Sequence, residues 1–91
     1  MEPEKEIRKL RLEIDEIDRE VAQLLQKRFQ AVRKIGRVKK AAGTAVEDSQ
    51  REKEVLRNYM EEAAGSMDEE FIKKFTALVL EYSKKIQRDL K

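Results

Sequence analysis

Residues 7–42 read IRKLRLEIDEIDREVAQLLQKRFQAVRKIGRVKKAA, and the spacing within this stretch decides the fold. Apolar side chains fall at Ile7, Leu10, Ile14, Ile17, Val21 and Leu24, then at Ala31, Ile35, Val38 and Ala42, in alternating steps of three and four. That is the period of one helix face, with a single gap in it. No proline interrupts the run, so the spacing predicts one helix from about Glu4 to Ala42, roughly 58 Å long at 1.5 Å per residue. Gly43 is placed to end it. A globule made from 91 residues has a diameter near about 30 Å, about half the length of that helix. One chain cannot cover such a seam by itself.

Working outward, Ser49-Gln50-Arg51-Glu52 fits a Ser-x-x-Glu capping box and predicts a second helix ending near Ala64, with Gly65 as its left-handed stop. Its inner face is expected to carry Val55, Leu56, Tyr59, Met60 and Ala63. Ser66-Met67-Asp68-Glu69 repeats the box and predicts a third helix running towards Leu90, with Phe71, Phe75, Leu78, Val79, Tyr82 and Ile86 inward. Strand signals are absent: nothing alternates with period two, and the chain holds three Gly and one Pro. The expectation is an all-α chain forming a single domain over residues 1–91, with one long and two shorter helices. Two copies wound together as an intertwined helical homodimer would bury every apolar stripe.

Composition excludes much of enzyme chemistry. There is no Cys and no His, hence no disulfide framework, thiolate nucleophile, Ser-His-Asp triad or zinc site of the usual nitrogen and sulfur type. Any chemistry must run on Arg, Lys, Asp, Glu, Gln, Ser or Tyr. The 21 basic and 19 acidic residues are interspersed and sum to +2, which argues against a nucleic-acid stripe. No apolar run is long enough for a membrane span, and the acidic start MEPEKEIRK is unlike a signal peptide, so a cytoplasmic location is expected.

The gap in the long seam is Arg28, flanked seven residues away by Val21 and Ile35. A guanidinium there needs an anionic partner, because an unpaired buried charge costs several kcal/mol. It reads either as a register-setting residue paired with a neighbouring carboxylate or as one wall of an anion site. Arg28, Val32, Ile35 and Lys39 form one stripe of cation, two apolar side chains, cation, which suits a small flat dianion; Lys39 alone could equally be a snorkelling surface lysine. Arg51 and Glu52 extend the inner stripes of the second helix, so both point inward or to a rim. Glu52 and Asp48 each also read as helix-capping groups. By pattern alone Ser83 and Gln87 are ordinary flank residues beyond Thr76 and Leu80.

Taken together, LRLEIDEIDREVAQLLQKR, Gly36-Arg37-Val38-Lys39, Val46-Glu47-Asp48 leading into Arg51-Glu52, and Ser83 to Gln87 resemble the AroQ-type chorismate mutases, over essentially the whole chain. Apolar heptads are common, but Arg11, Arg28, Lys39, Asp48, Arg51, Glu52, Ser83 and Gln87 in that order and spacing are specific. The sequence departs from the family pattern at Ser49-Gln50 and at the basic pair Lys84-Lys85.

The resemblance implies an all-helical intertwined homodimer with two active sites. Each would rearrange chorismate to prephenate, in the biosynthesis of phenylalanine and tyrosine, with no cofactor and no metal. It implies that Arg11 from the partner chain and Arg28 bind the two substrate carboxylates, and that Lys39 and Gln87 donate to the ether oxygen. Glu52 and the Asp48 backbone would hold the ring hydroxyl, Arg51 and Ser83 would complete the polar lining, and Val32, Ile35 and Leu80 would wall the ring. Such a site fits the chemistry. Bidentate guanidinium contacts fix the plane of each carboxylate, and donors aimed at an oxygen that gains charge as its bond breaks favour the transition state. Two other readings remain open at this point: an isochorismate pyruvate-lyase of the same fold, and a non-catalytic dimerisation module whose inward cations pair only with Asp18, Glu52 or Glu81.

Overall fold

A computed structural model describes residues 2–90 of the chain. Among the described residues there are three helices and no strand: α1 Pro3–Ala42, α2 Ser49–Glu62 and α3 Glu69–Arg88. The chain divides into two compact units, Met1–Ala31 and Val32–Lys91, so α1 contributes to both.

The first unit is the amino-terminal part of α1. Pro3 opens the helix where its missing N–H is no loss, and Glu4 and Glu6 stand in the first turn against the positive end of the helix dipole. The seam is present and uncovered: Ile7, Leu10, Ile14, Ile17, Val21 and Leu24 are each between 45% and 63% exposed. No helix among the described residues is long and apolar enough to cross a membrane.

The second unit holds the end of α1 together with α2 and α3, which pack against each other. Lys39 and Lys40 lie in the last turn of α1, where cations suit the negative end of the dipole. The stop is a Schellman motif: Thr44 N–H donates to the Lys39 carbonyl at 2.9 Å and Gly43 N–H to Lys40 at 3.3 Å, with Gly43 at φ +70. A residue with a Cβ is strained in that conformation.

Both later helices start on an aspartate, a correction to the capping boxes expected from the sequence. Asp48 Oδ1 accepts from Arg51 N–H at 3.0 Å, and Asp68 Oδ2 accepts from Phe71 N–H at 3.3 Å. Ser49 is the first helical residue of α2, while Ser66 belongs to the preceding turn and donates its hydroxyl to the Ala63 carbonyl. A carboxylate offers the cap acceptor and also opposes the positive helix end, which a serine hydroxyl does not.

The buried face of α3 also differs from the expected one. Ile72, Thr76, Val79, Ser83 and Ile86 are buried in steps of four and three, whereas Phe71, Leu78 and Tyr82 are exposed and Phe75 is half-buried. The helix therefore carries two stripes, a narrow buried one built from small and branched side chains and a broad one rich in aromatics. Along the second, Phe75 meets Tyr59 edge-on at 5.5 Å and Phe71 at 6.2 Å. On α2 the inner face is as expected, with Val55 and Ala63 buried and Leu56, Tyr59 and Met60 half-buried.

Gly36 is buried, and the reason is a close approach of helix α3. A Cβ built there would lie 2.5 Å from Leu90 Cδ1, 3.0 Å from Gln87 Cγ and 3.4 Å from Gln87 Cα. The glycine gives up roughly 1 kcal/mol of helix propensity relative to Ala to let the two backbones meet.

Two stability predictions follow from these packing details. Gly36→Ala should leave stability within about 1 kcal/mol, because the gain in helix propensity offsets displacement of the flexible Leu90 tip, whereas Gly36→Val should destabilise by about 2 kcal/mol. Urea denaturation of both variants measures the contrast. Thr76 is 2% exposed and its Oγ1 has no hydrogen-bond partner among the described residues. Thr76→Val keeps the shape and removes the desolvated hydroxyl, so it should raise unfolding stability by about 1 kcal/mol, read from the denaturation midpoint.

Candidate functional site

The residues singled out by sequence are distributed over both units. Arg11 and Arg28 lie on the first, Arg11 exposed and Arg28 half-buried. The second unit holds Val32, Ile35, Lys39, Asp48, Arg51, Glu52, Leu80, Ser83 and Gln87.

Lys39 is half-buried near the end of α1, and its ammonium donates to the Val46 carbonyl at 2.9 Å. This single bond ties the connector between α1 and α2 back onto the helix. An ammonium has three donors, so the tie fixes its position and leaves capacity for a ligand. Lys39 lies three residues after Gly36, on the same side of α1. Gln87 packs directly on Gly36, so Lys39 and Gln87 come from neighbouring turns of two helices that touch.

Gln87 is half-buried, with Nε2 donating to the Ser83 carbonyl at 3.2 Å. Its Oε1 is buried without a hydrogen-bond partner among the described residues. Ser83 is itself buried, not a flank residue as its pattern suggests, and its hydroxyl donates to the Val79 carbonyl at 2.7 Å. That back-bond satisfies the hydroxyl within its own helix.

Glu52 is half-buried and faces α3, where Lys84 reaches it at 3.5 Å. The same ammonium lies 3.6 Å from Glu47. Glu47, Glu52, Leu56, Thr76, Leu80 and Lys84 line a groove of about 600 Å³ between α2 and α3, within the size range of small-molecule sites. Its base is apolar and its rim carries both signs of charge. Of the two lysines that depart from the family pattern, only Lys84 faces this groove. Lys85 turns to Asp89 at 2.6 Å, and that hydrogen-bonded carboxylate raises its pKa above the ordinary lysine value.

Arg51 is placed at the surface. Its side chain is 62% exposed, and the guanidinium pairs with Glu54 at 3.2 Å, one turn along α2. The Asp48 carboxylate is occupied as the α2 cap, which leaves its backbone for other contacts. Of the expected apolar walls, Val32 is buried, Leu80 half-buried and Ile35 about half exposed. Lys84 is the site residue that reasoning from sequence passed over. Its one signal was that it breaks the family pattern.

Comparison with known proteins identifies the family. The sequence profile of a family described as chorismate mutase type II matches residues 10–88. Among solved structures, a conserved hypothetical protein from Pyrococcus furiosus is similar with 38% identity and a TM-score of 0.69, over 89% of this chain and 93% of that one. No curated protein matches the sequence. The family match spans most of α1, all of α2 and all of α3, and on it the chain belongs to the chorismate mutase type II family, whose fold is all-helical.

Proposed function

We propose that this protein is a chorismate mutase that rearranges chorismate to prephenate by positioning and electrostatics alone. The observation that carries the reading is the packing of Gln87 on Gly36, which stands three residues before Lys39 on α1. The side chains of Lys39 and Gln87 are half-buried, and both can present N–H groups to one ligand atom. As the carbon–oxygen bond breaks, charge gathers on the ether oxygen, and fixed donors there lower the barrier without moving a proton. Glu52, held beside the groove, accepts from the ring hydroxyl, while Val32, Ile35 and Leu80 flank the ring and keep it in a compact, reactive chair.

The dianionic substrate needs two cationic clamps, assigned to Arg28 and to Arg11. These residues are 17 positions apart on α1, about 25 Å along the helix, too far to grip one small molecule together. The reading therefore includes a two-fold dimer in which Arg11 of one protomer serves the site of its partner. The exposed seam from Ile7 to Leu24 supports that assembly, because an apolar stripe of this length calls for a covering surface. With the two-fold axis near Ala22, antiparallel long helices bring Arg11 opposite residue 33 of the partner, between its Arg28 and its Lys39.

Purified protein should consume chorismate, and product identity decides the class: prephenate supports this reading, whereas salicylate with pyruvate assigns a lyase and no turnover by a folded dimer assigns an interaction module. Lys39→Ala should lower kcat/KM by about 10²- to 10³-fold with the helical circular dichroism unchanged. Mixing Arg11→Ala chains with Lys39→Ala chains should restore activity through heterodimers that hold one intact site. Failure of the mixture to exceed either parent would rule out shared sites.

A further inference from the structure

We infer that Lys84 is a positioning residue for Glu52, and that it adapts this site to a dianionic ligand bearing a hydroxyl group. The inference rests on the mutase reading above and adds to it a residue outside the family pattern.

The geometry is specific. The Lys84 ammonium stands 3.5 Å from Glu52 Oε1 and 3.5 Å from Glu52 Oε2, so it faces both oxygens of one carboxylate equally. An ammonium is a compact point charge, so such a contact holds the carboxylate group in place through its charge. The lysine side chain is only 22% exposed and that of Glu52 29%, whereas Lys73, Lys74 and Lys85 pair along their own helix with side chains at least 56% exposed. The three exposed pairs belong to the class that contributes little, while the Lys84 pair joins α3 to α2 and, through Glu47, to the connector.

Charge gives the contact its consequence. Glu47, Glu52 and Glu81 line the groove together with Lys53, Lys73 and Lys84, three charges of each sign, and Lys84 is the cation that pairs with both Glu47 and Glu52. Lys84 brings this lining to neutrality; without it the lining would be net negative and would repel a doubly negative ligand. It also leaves Glu52 with lone pairs free to accept from a hydroxyl, since a carboxylate has about four acceptor sites and the ammonium faces them from one side. An apolar residue in its place would leave Glu52 free to swing and would make the groove lining more negative by one charge. The loss would fall on ligand binding more than on the bond-breaking step, because Lys84 reaches neither Lys39 nor Gln87 in any hydrogen bond or ion pair described for the molecule.

The test is a double-mutant cycle between Lys84→Met and Glu52→Gln, read as separate kcat and KM values for chorismate, with Lys84→Arg as the conservative variant. Lys84→Met should raise KM about tenfold while kcat stays within about threefold, Lys84→Arg should recover most of the loss, and in the Glu52→Gln background Lys84→Met should add less than about twofold. Should Lys84→Met fail to fold, Lys84→Gln reports the same quantities with a polar side chain. Unchanged KM in the folded variant, independent multiplying effects of the two substitutions, or no rescue by Arg each overturns the role. A folded wild-type protein that does not turn over chorismate overturns the mutase reading and this role with it, whereas wild-type turnover matched by Lys84→Met overturns this role alone.

Discussion

A helix of 40 residues with an apolar stripe along its first half is the constraint from which the rest proceeds. The hydrophobic effect sets its strength: each of the six seam residues from Ile7 to Leu24 gains about 1.5 to 3 kcal/mol when fully buried, and each is about half exposed in the single chain. Among the described residues there are two shorter helices, of 14 and 20 residues, and they pack with each other in the second unit. The proposed two-fold pairing answers the surplus of apolar surface on the first unit. In that proposal Arg11 would serve the partner's site, so a complete site would require the dimer.

Most of the fold was legible because its signals are periodic. The α1 seam, the stop at Gly43 and the inner face of α2 follow from spacing and from the one residue that adopts a left-handed backbone without strain. Less legible were the starts of α2 and α3. In both, a Ser-x-x-Glu pattern lies within two residues of the aspartate that caps the helix, and local sequence does not rank the two acceptors without the backbone N–H groups in place. On α3, ranking side chains by size selects Phe71, Leu78 and Tyr82 as core, yet the buried stripe holds Thr76 and Ser83. Close approach at Gly36 favours small side chains on the turns of α3 nearby, and Ser83 is tolerated because its hydroxyl bonds within the helix.

The site divides the same way. Lys39, Glu52 and Gln87 were named from a family-like order of residues, and each is at least half-buried in the second unit. What sequence did not convey is which charges offset which. Lys84 and Glu52 are 32 residues apart, and a lysine on the flank of an amphipathic helix reads as solvent-facing until the packing of α2 on α3 brings the carboxylate to it. Arg51 illustrates the converse: its stripe points inward by spacing, but a long flexible stem with Glu54 one turn away carries the guanidinium outward.

The connector between α1 and α2 is fastened twice to one residue. The Lys39 carbonyl accepts from Thr44 N–H, and the Lys39 ammonium donates to Val46. Surface loops usually absorb inserted residues at small thermodynamic expense. Here an extra residue between Thr44 and Val46 would slacken the tether and let the ammonium wander from its post. The connector thus acts as a ruler, and its length sets where the ammonium it is tied to is held.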